Sequence, residues 1–195
     1  GHGLLRGVSD ADVGSTIASF EPAPASARAD GARYASPPGA AERLGDPRTI
    51  LSGAGTGINE QALRLVYRDL APGDRAEAYL RYPHEGRNFL DYRELRLYPV
   101  PPARRWDGGE RLVVSVGTDP DNRYLYVTPL RPPIDGPLHP GDWLPEIVID
   151  VRRWLDLKAE AERLLLERGG AGDEPLVLWS DDGAHGIVLT DRARA

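Results

Sequence analysis

The sequence predicts an all-β fold, an antiparallel jelly-roll-like β-sandwich with one amphipathic helix at about residues 154–168. Short segments in which apolar and polar residues alternate recur from Ile58 onwards, as expected of half-buried strands. Turn-forming Pro, Gly, Asp and Asn residues separate these segments. Only one segment has helical periodicity, so the several crossover helices that a parallel, doubly wound sheet requires are missing.

About eight short strands are predicted, each from a run of alternating or β-branched residues. They cover residues 63–68, 76–82, 92–98, 111–117, 123–130, 146–151, 176–179 and 187–190. Pro99 ends the third of them, because proline lacks the N–H that a strand ladder needs. Turns are expected at residues 71–74, 118–122 and 181–183, and the last two of these would close hairpins.

The helix is predicted from apolar residues that recur at spacings of three and four. Its apolar side holds Trp154, Leu157, Ala161, Leu164 and Leu165, and its polar side holds Lys158, Glu160 and Glu162. Gly169 and Gly170 are expected to end it, because glycine readily takes the left-handed conformation found at helix C-termini.

Two regions are predicted, an N-terminal segment of residues 1–57 and a β-sandwich domain of residues 58–195. Within the segment, apolar residues indicate one strand at residues 13–20. Residues 21–57 are rich in Ala, Pro, Gly, Ser and Arg, so we expect them to be a mostly irregular linker. We expect the segment to pack on the sandwich. The sequence contains no methionine, and we expect it to be a piece of a longer chain.

Composition excludes several classes of protein. The chain has 195 residues, a formal net charge of −6 and no cysteine. The negative charge argues against a broad nucleic-acid surface. Without cysteine, the chain has no disulfide, no cysteine nucleophile and no thiolate metal site. No apolar run reaches the ~20 residues that a membrane-spanning helix needs.

The sequence shows no catalytic or cofactor-binding motif, and we expect neither catalysis nor a cofactor. The histidines are expected in loops or at the terminus, and none has another at metal-ligand spacing. They are His2, His84, His139 and His185. A strand, not a helix, follows the glycines of residues 53–57, so these are predicted to be linker and not a phosphate-binding loop.

Calcium is the one metal for which the sequence offers candidates. Asp119, Asp121 and Asn122 place oxygen-bearing side chains in a predicted turn, which is a pattern that can bind Ca²⁺. The same residues are ordinary turn formers, because Asx side chains bond their own backbone. We expect the turn role, and the same holds for Asp181 and Asp182.

Two alternative functions remain open from the residues alone. Sandwich domains that bind carbohydrate stack exposed aromatic rings against sugars. The candidate rings are Tyr79, Tyr82, Tyr92, Tyr98, Trp106, Tyr124, Tyr126 and Trp143. A polysaccharide hydrolase needs two carboxylates roughly 5–9.5 Å apart, and Glu146 and Asp150 are the pair set in an apolar strand. We expect most of the rings in the core and both carboxylates on an outward sheet face.

Several motifs, in order along the chain, resemble those of a known family. They are Gly57–Leu65 (GINEQALRL), Asp69–Tyr79 (DLAPGDRAEAY), Asp91–Tyr98 (DYRELRLY), Leu112–Pro129, and Trp143–Asp150 (WLPEIVID) followed by Leu155 and Lys158. Over about residues 37–171 their order and spacing are similar to those of the SprA/Sov family. Its members are very large outer-membrane proteins that form the translocon of the type IX secretion system and support gliding motility.

The resemblance implies a non-catalytic structural or interaction module within a giant barrel protein. Such a module would lie in the periplasmic or extracellular part of the cell envelope and would not itself span the membrane. Its implied partners are the parent barrel, neighbouring modules, and secreted cargo or accessory secretion subunits. The family-motif residues then have structural roles at strand starts and turns. They are Asn59, Glu60, Gln61, Asp69, Gly73, Asp74, Trp143 and Glu146.

Overall fold

In a computed structural model, the chain divides into two compact units. The first unit comprises residues 1–87 and 135–143, and the second comprises residues 88–134 and 144–195. The residues described are 5–9, 19–26, 30, 34, 62–68, 73, 75–80, 91–99, 109–130, 147–169 and 174–190. The predicted boundary between residues 57 and 58 lies outside these ranges.

Two antiparallel strand pairs make up the described part of the first unit. Strand β1 (Leu5–Ser9) pairs with β4 (Ala76–Leu80), and β2 (Ser19–Ala25) pairs with β3 (Ala62–Arg68). The strands predicted at residues 63–68 and 76–82 correspond to β3 and β4. Both therefore pair with strands from the N-terminal segment, within the first unit.

The N-terminal strands differ from the sequence-based prediction. The strand expected at residues 13–20 overlaps β2 only at its end, and β2 continues to Ala25, through residues predicted to be irregular. Residues 10–18 lie outside the described part. Pro22 and Pro24 caused the error, since proline argues against a central strand. In the described ladder β2 pairs with β3 alone, and such an edge position tolerates residues without an N–H.

A four-stranded antiparallel sheet forms the main part of the second unit. Its strands are β6 (Arg111–Asp119), β7 (Asn122–Pro129), β9 (Leu176–Trp179) and β10 (His185–Leu189), in the order β6-β7-β10-β9. The two predicted hairpins, β6–β7 and β9–β10, are confirmed. A register shift between Gly117 and Asp119 marks a bulge beside the first turn.

The remaining strand pair of the second unit leads directly into the helix. Strand β5 (Glu94–Leu97) pairs antiparallel with β8 (Ile147–Asp150), and helix α1 (Val151–Glu167) follows without an intervening residue. The helix was predicted at about residues 154–168 and begins three residues earlier. Val151, predicted to end a strand, is already helical. Gly169, at φ 76°, lies just past the helix end, as expected.

Helix α1 covers one face of the four-stranded sheet, which we call the inner face. One buried cluster joins Ala161 and Leu165 of the helix to strands β9 and β10. A second cluster joins Ile149, Val151 and Trp154 to half-buried residues of strands β5 to β8. These are Leu95, Leu97, Val114, Val116, Tyr124, Tyr126 and Ile147. Successive side chains of a strand point to opposite faces, so the intervening residues lie on the outer face.

The described strands all pair in antiparallel fashion and are accompanied by one described helix. The predicted all-β, antiparallel class with a single amphipathic helix is therefore confirmed at that level.

Candidate functional site

The β6–β7 turn carries the three calcium candidates. Oδ1 of Asp119 accepts hydrogen bonds from the backbone N–H of Asp121 (2.9 Å) and from Nδ2 of Asn122 (3.0 Å). Its Oδ2 accepts from Oγ1 of Thr118 and from the same Nδ2, both at 3.1 Å. The hydrogen bond from Asn122 is the main reason that the pKa of Asp119 lies below its ordinary value.

Asn122 also ties this turn to the end of strand β10. Its Oδ1 accepts from the backbone N–H of Thr190 (3.0 Å) and from the Thr190 hydroxyl (2.9 Å). The side-chain oxygens of Asp119 and Asn122 thus have protein donors already. Across the described ranges, no group of three or more His, Cys, Asp or Glu side chains could hold a metal ion. Calcium binding at Asp119, Asp121 and Asn122 stays a prediction.

Of the family-motif residues, the structure describes Gly73. It lies in the turn between β3 and β4 at φ 94°, a conformation that favours glycine, which agrees with its predicted turn role. The other motif residues lie outside the described ranges. They are Asn59, Glu60, Gln61, Asp69, Asp74, Trp143 and Glu146.

The β9–β10 turn brings Asp182, predicted only as a turn former, together with Ser180 and Arg153. Oδ1 of Asp182 accepts from Oγ of Ser180 (2.6 Å) and from the backbone N–H of Ala184 (2.9 Å). Its Oδ2 pairs with the guanidinium of Arg153 on helix α1. The hydrogen bond from Ser180 is the largest of these effects, and together they hold the pKa of Asp182 well below its usual range. The turn is therefore fastened to the helix.

His185 lies directly beneath this turn, and its position corrects a prediction. It was expected in a loop, but it is the first residue of β10 and is only 5% exposed. Its ring packs edge-on against Tyr126, with centroids 5.0 Å apart, and against Trp154 at 6.3 Å. Neither ring nitrogen has a hydrogen-bond partner, and Nδ1 is 3.8 Å from Oδ1 of Asp182.

Burial is the main influence on the protonation of His185. Desolvation lowers its pKa below the ordinary value of 6.5, and the charge of Asp182 opposes this effect without overcoming it. Burial thus favours the neutral form of the ring.

Ser180, Asp182 and His185 are the residue types of a serine hydrolase, but their arrangement differs from a catalytic triad. In a triad the serine hydroxyl bonds the imidazole, which acts as its base. Here the Ser180 hydroxyl bonds the carboxylate of Asp182 and the carbonyl oxygen of His185 (3.0 Å). The arrangement fixes the turn, and the Ser180 hydroxyl does not bond the imidazole.

The aromatic rings of Tyr124 and Trp154 contact each other within the core. Tyr124 stacks on Trp154 with ring centroids 5.4 Å apart and an interplanar angle of 23°. The indole Nε1–H of Trp154 donates to the carbonyl oxygen of Leu125 at 2.8 Å. Among the described candidates for sugar stacking, Tyr124 and Tyr126 are thus half-buried on the inner face. Trp179, which is 46% exposed, was not among the candidates.

The carboxylate pair considered for hydrolysis is not described as a pair, because Glu146 lies outside the described ranges. Asp150 was expected on an outward sheet face. It is the last residue of β8 and also the N-cap of helix α1, and its Oδ1 accepts from the backbone N–H of Arg152 at 2.9 Å.

Comparison with known proteins found no matching family model, curated protein or solved structure. Helix α1 falls short of the length and apolar character required to cross a bilayer, and no other helix of the described ranges meets that requirement.

Proposed function

We propose that this chain is a non-catalytic structural and interaction module of a SprA-like translocon, involved in type IX protein secretion and gliding motility. In this proposal it adopts a jelly-roll-like sandwich in the periplasmic or extracellular part of the cell envelope. Its partners are the parent barrel, neighbouring modules, and secreted cargo or accessory subunits.

One observation carries the proposal: three of the family-like motifs, far apart in sequence, build a single core. The motif at residues 91–98 supplies β5, the motif at residues 112–129 supplies β6 and β7, and the motif at residues 143–158 supplies β8 and the start of α1. The hydrophobic side chains of all three meet around Trp154. Motifs that meet in this way specify a fold rather than a reaction.

The polar clusters of the second unit support a structural role as well. The carboxylates of Asp119 and Asp182 are occupied by hydrogen bonds from their own turns. His185 is buried, and the Ser180 hydroxyl bonds its carbonyl oxygen and not its ring. These contacts hold the turns and strands of the second unit together, which supports a structural role.

The proposal is tested in the organism that carries the gene. A chromosomal Trp154→Ala substitution removes the side chain at the centre of the shared core, whereas Leu166→Ala changes a helix residue that is 62% exposed. We expect the first variant to lose type IX cargo from the culture medium and to stop gliding. We expect the second to behave as wild type. Quantitative mass spectrometry of the medium measures both.

A second measurement distinguishes a loss of function from a lowered amount of the protein. An antibody raised against the chain should detect a polypeptide far larger than 21.3 kDa in the outer-membrane fraction of wild-type cells. Detection in the cytoplasm, or unchanged secretion by a Trp154→Ala strain in which the module is unfolded, would contradict the proposal. Specific binding of the purified chain to a glycan array would instead favour the carbohydrate-binding alternative.

A further inference from the structure

The outer face of the four-stranded sheet, opposite helix α1, is mostly apolar. Strand alternation and the pairing register assign it six large apolar residues. They are Val113, Leu125, Val127, Val177, Trp179 and Val188. Val113, Val177 and Trp179, on the edge strands β6 and β9, are 52%, 49% and 46% exposed, whereas Val188 on the central strand β10 is 8% exposed. An antiparallel sheet with one face in water normally alternates apolar inside with polar outside, so this face departs from that pattern.

One charged residue lies in the middle of this apolar area. Arg123 of β7 is flanked in register by Gly117 of β6 and Val188 of β10. The inward direction of its neighbour Tyr124, which packs in the core, puts Arg123 on the outer face. Its Nε is buried and has no hydrogen-bond partner. A buried guanidinium N–H without an acceptor is costly.

The chemistry of the missing acceptor follows from that guanidinium. A carboxylate is its best partner, because the planar fork of Arg donates two parallel charge-assisted hydrogen bonds to the two carboxylate oxygens. Among the outer-face positions of the four-stranded sheet in residues 111–117, 123–129, 177–179 and 186–188, none is Asp or Glu, and the other charged residue is Arg111. Asp119 lies beyond the register shift of β6, and its carboxylate bonds its own turn. The face therefore offers positive charge within an apolar surface and does not supply its own acceptor.

The same charge pattern argues against a second copy of the chain as the occupant. A two-fold pairing of outer faces would set the arginines of one copy against the arginines or valines of the other. Like charges brought together in an interface disfavour that pairing. The occupant must bring the carboxylate.

We propose that the outer face docks a β-strand of a different polypeptide segment, with apolar side chains and one Asp or Glu on the side that faces Arg123. The strand packs face to face on the sheet, as the second layer of a sandwich does, at about 10 Å. Its apolar side chains cover Trp179, Val177 and Val113, and its carboxylate pairs with Arg123. The inference deepens the proposed function, since it gives the chemistry of a partner of that module.

The test uses a peptide probe and the purified chain. The probe is N-acetylated, C-amidated Val-Thr-Val-Ser-Glu-Ser-Val-Thr-Val, whose valines and glutamate lie on one side of an extended strand. Two matched peptides carry Gln or Lys in place of Glu. Amide chemical shifts of the ¹⁵N-labelled chain report where each peptide binds and with what Kd.

The expected result is a set of shifts at Val113, Arg123, Val177 and Trp179, with the Glu peptide binding about tenfold more tightly than the Gln peptide and the Lys peptide weakest. In the chain with Arg123→Glu the order should invert, so that the Lys peptide binds best. Arg123→Gln should remove the preference among the three. The Arg123→Gln variant keeps the test usable if Arg123→Glu does not fold.

Equal affinity for all three peptides, shifts confined to other surfaces, or no shift at millimolar peptide would each overturn the proposal. Concentration-dependent dimerisation through the outer face, seen by analytical ultracentrifugation and abolished by Val113→Arg, would overturn it in favour of a second copy. These outcomes are independent of the secretion assay, so the docking surface and the proposed function can fail separately.

Discussion

The indole ring of Trp179 lies over the backbone of Gly186, its cross-strand partner in the β9–β10 hairpin. A Cβ added at Gly186 would stand 2.7 Å from Cε3 and Cζ3 of that ring. The absence of a side chain at Gly186 is therefore what lets the ring lie flat on the outer face. The aromatic ring, in turn, shields a strand glycine that would otherwise leave its backbone uncovered.

Gly186→Ala should displace the Trp179 ring and lower the free energy of unfolding by about 1–3 kcal/mol. Urea denaturation followed by far-UV circular dichroism measures the change. Ser115→Ala, on the outer face of edge strand β6, is the control and should stay within about 0.5 kcal/mol of wild type. In a Trp179→Ala background the cost of Gly186→Ala should shrink, and an unchanged cost in that background would show that the ring is not the cause.

Trp154 is expected to be the most sensitive position of the second unit. Trp154→Ala should cost about 3–5 kcal/mol because it empties the centre of the core. Trp154→Phe keeps most of the volume but leaves the Leu125 carbonyl without its indole donor, and should cost about 1–3 kcal/mol. Chemical denaturation of both variants, with Leu166→Ala as the exposed control, tests the ranking. Equal losses in the free energy of unfolding for Trp154→Phe and Trp154→Ala would mean that the packing of the ring contributes little to stability.

His185 should make stability fall as the pH decreases from 7 to 5. Its pKa in the folded protein is below 6.5, mainly through burial, so the unfolded chain binds the proton more readily. Stability is then fully present above pH 6.5 and is lost as the pH falls towards the folded-state pKa. Asp182, whose pKa is lowered, loses its contribution only below about pH 4.

The pH effect of His185 is measured by urea denaturation at several pH values between 5 and 8. The charged groups around the ring are Asp182, Arg153 and Asp150. His185→Gln, which does not titrate, should flatten the dependence. A slope that persists in the Gln variant would assign the effect to another group.

Asp150 should contribute to stability as the N-cap of helix α1. Asp150→Ala removes the acceptor for the Arg152 N–H and should cost about 0.5–2 kcal/mol. Asp150→Asn retains an acceptor oxygen and should cost much less. Thermal unfolding of the two variants distinguishes capping from charge, because a charge effect would make Asn as harmful as Ala.

Asn122 should be essential for joining the β6–β7 turn to the end of β10. Asn122→Ala leaves the N–H and hydroxyl of Thr190 without their shared acceptor and should cost about 1–3 kcal/mol. Thr190→Val serves as the partial control, since it removes only the hydroxyl. The same samples allow a calorimetric Ca²⁺ titration, in which heat saturating at one equivalent in wild type and absent in Asn122→Ala would establish a calcium site.

The parts of the fold that the sequence predicted are those with a local signal. The hairpins β6–β7 and β9–β10 combine alternation with strong turn residues, and helix α1 has a clear apolar stripe. The start of the helix also had a local signal, because an Asp directly before the helical pattern is a favoured N-cap. The N-cap role of Asp150 was missed because Asp150 was interpreted only as a strand residue.

The parts that were missed depend on contacts between distant segments. Leu5–Ser9 has too little alternation to indicate a strand, and its pairing with β4 joins residues about seventy positions apart. His185 is buried because Tyr126 and Trp154 surround it, and neither is its neighbour in sequence. Likewise, nothing local indicates that Ser180 bonds a carboxylate rather than an imidazole. Such features need the tertiary structure.

Because α1 follows β8 with no residue between them, the orientation of strand β8 determines which side chains of the helix point into the core. Ile149 points into the core from the strand, and Val151 and Trp154 do so from the helix, with no loop residue between them to absorb an error. One added residue at this junction would turn the helix by about 100° and carry Trp154 out of the core. Insertions and deletions should therefore be excluded from the Asp150–Val151 junction.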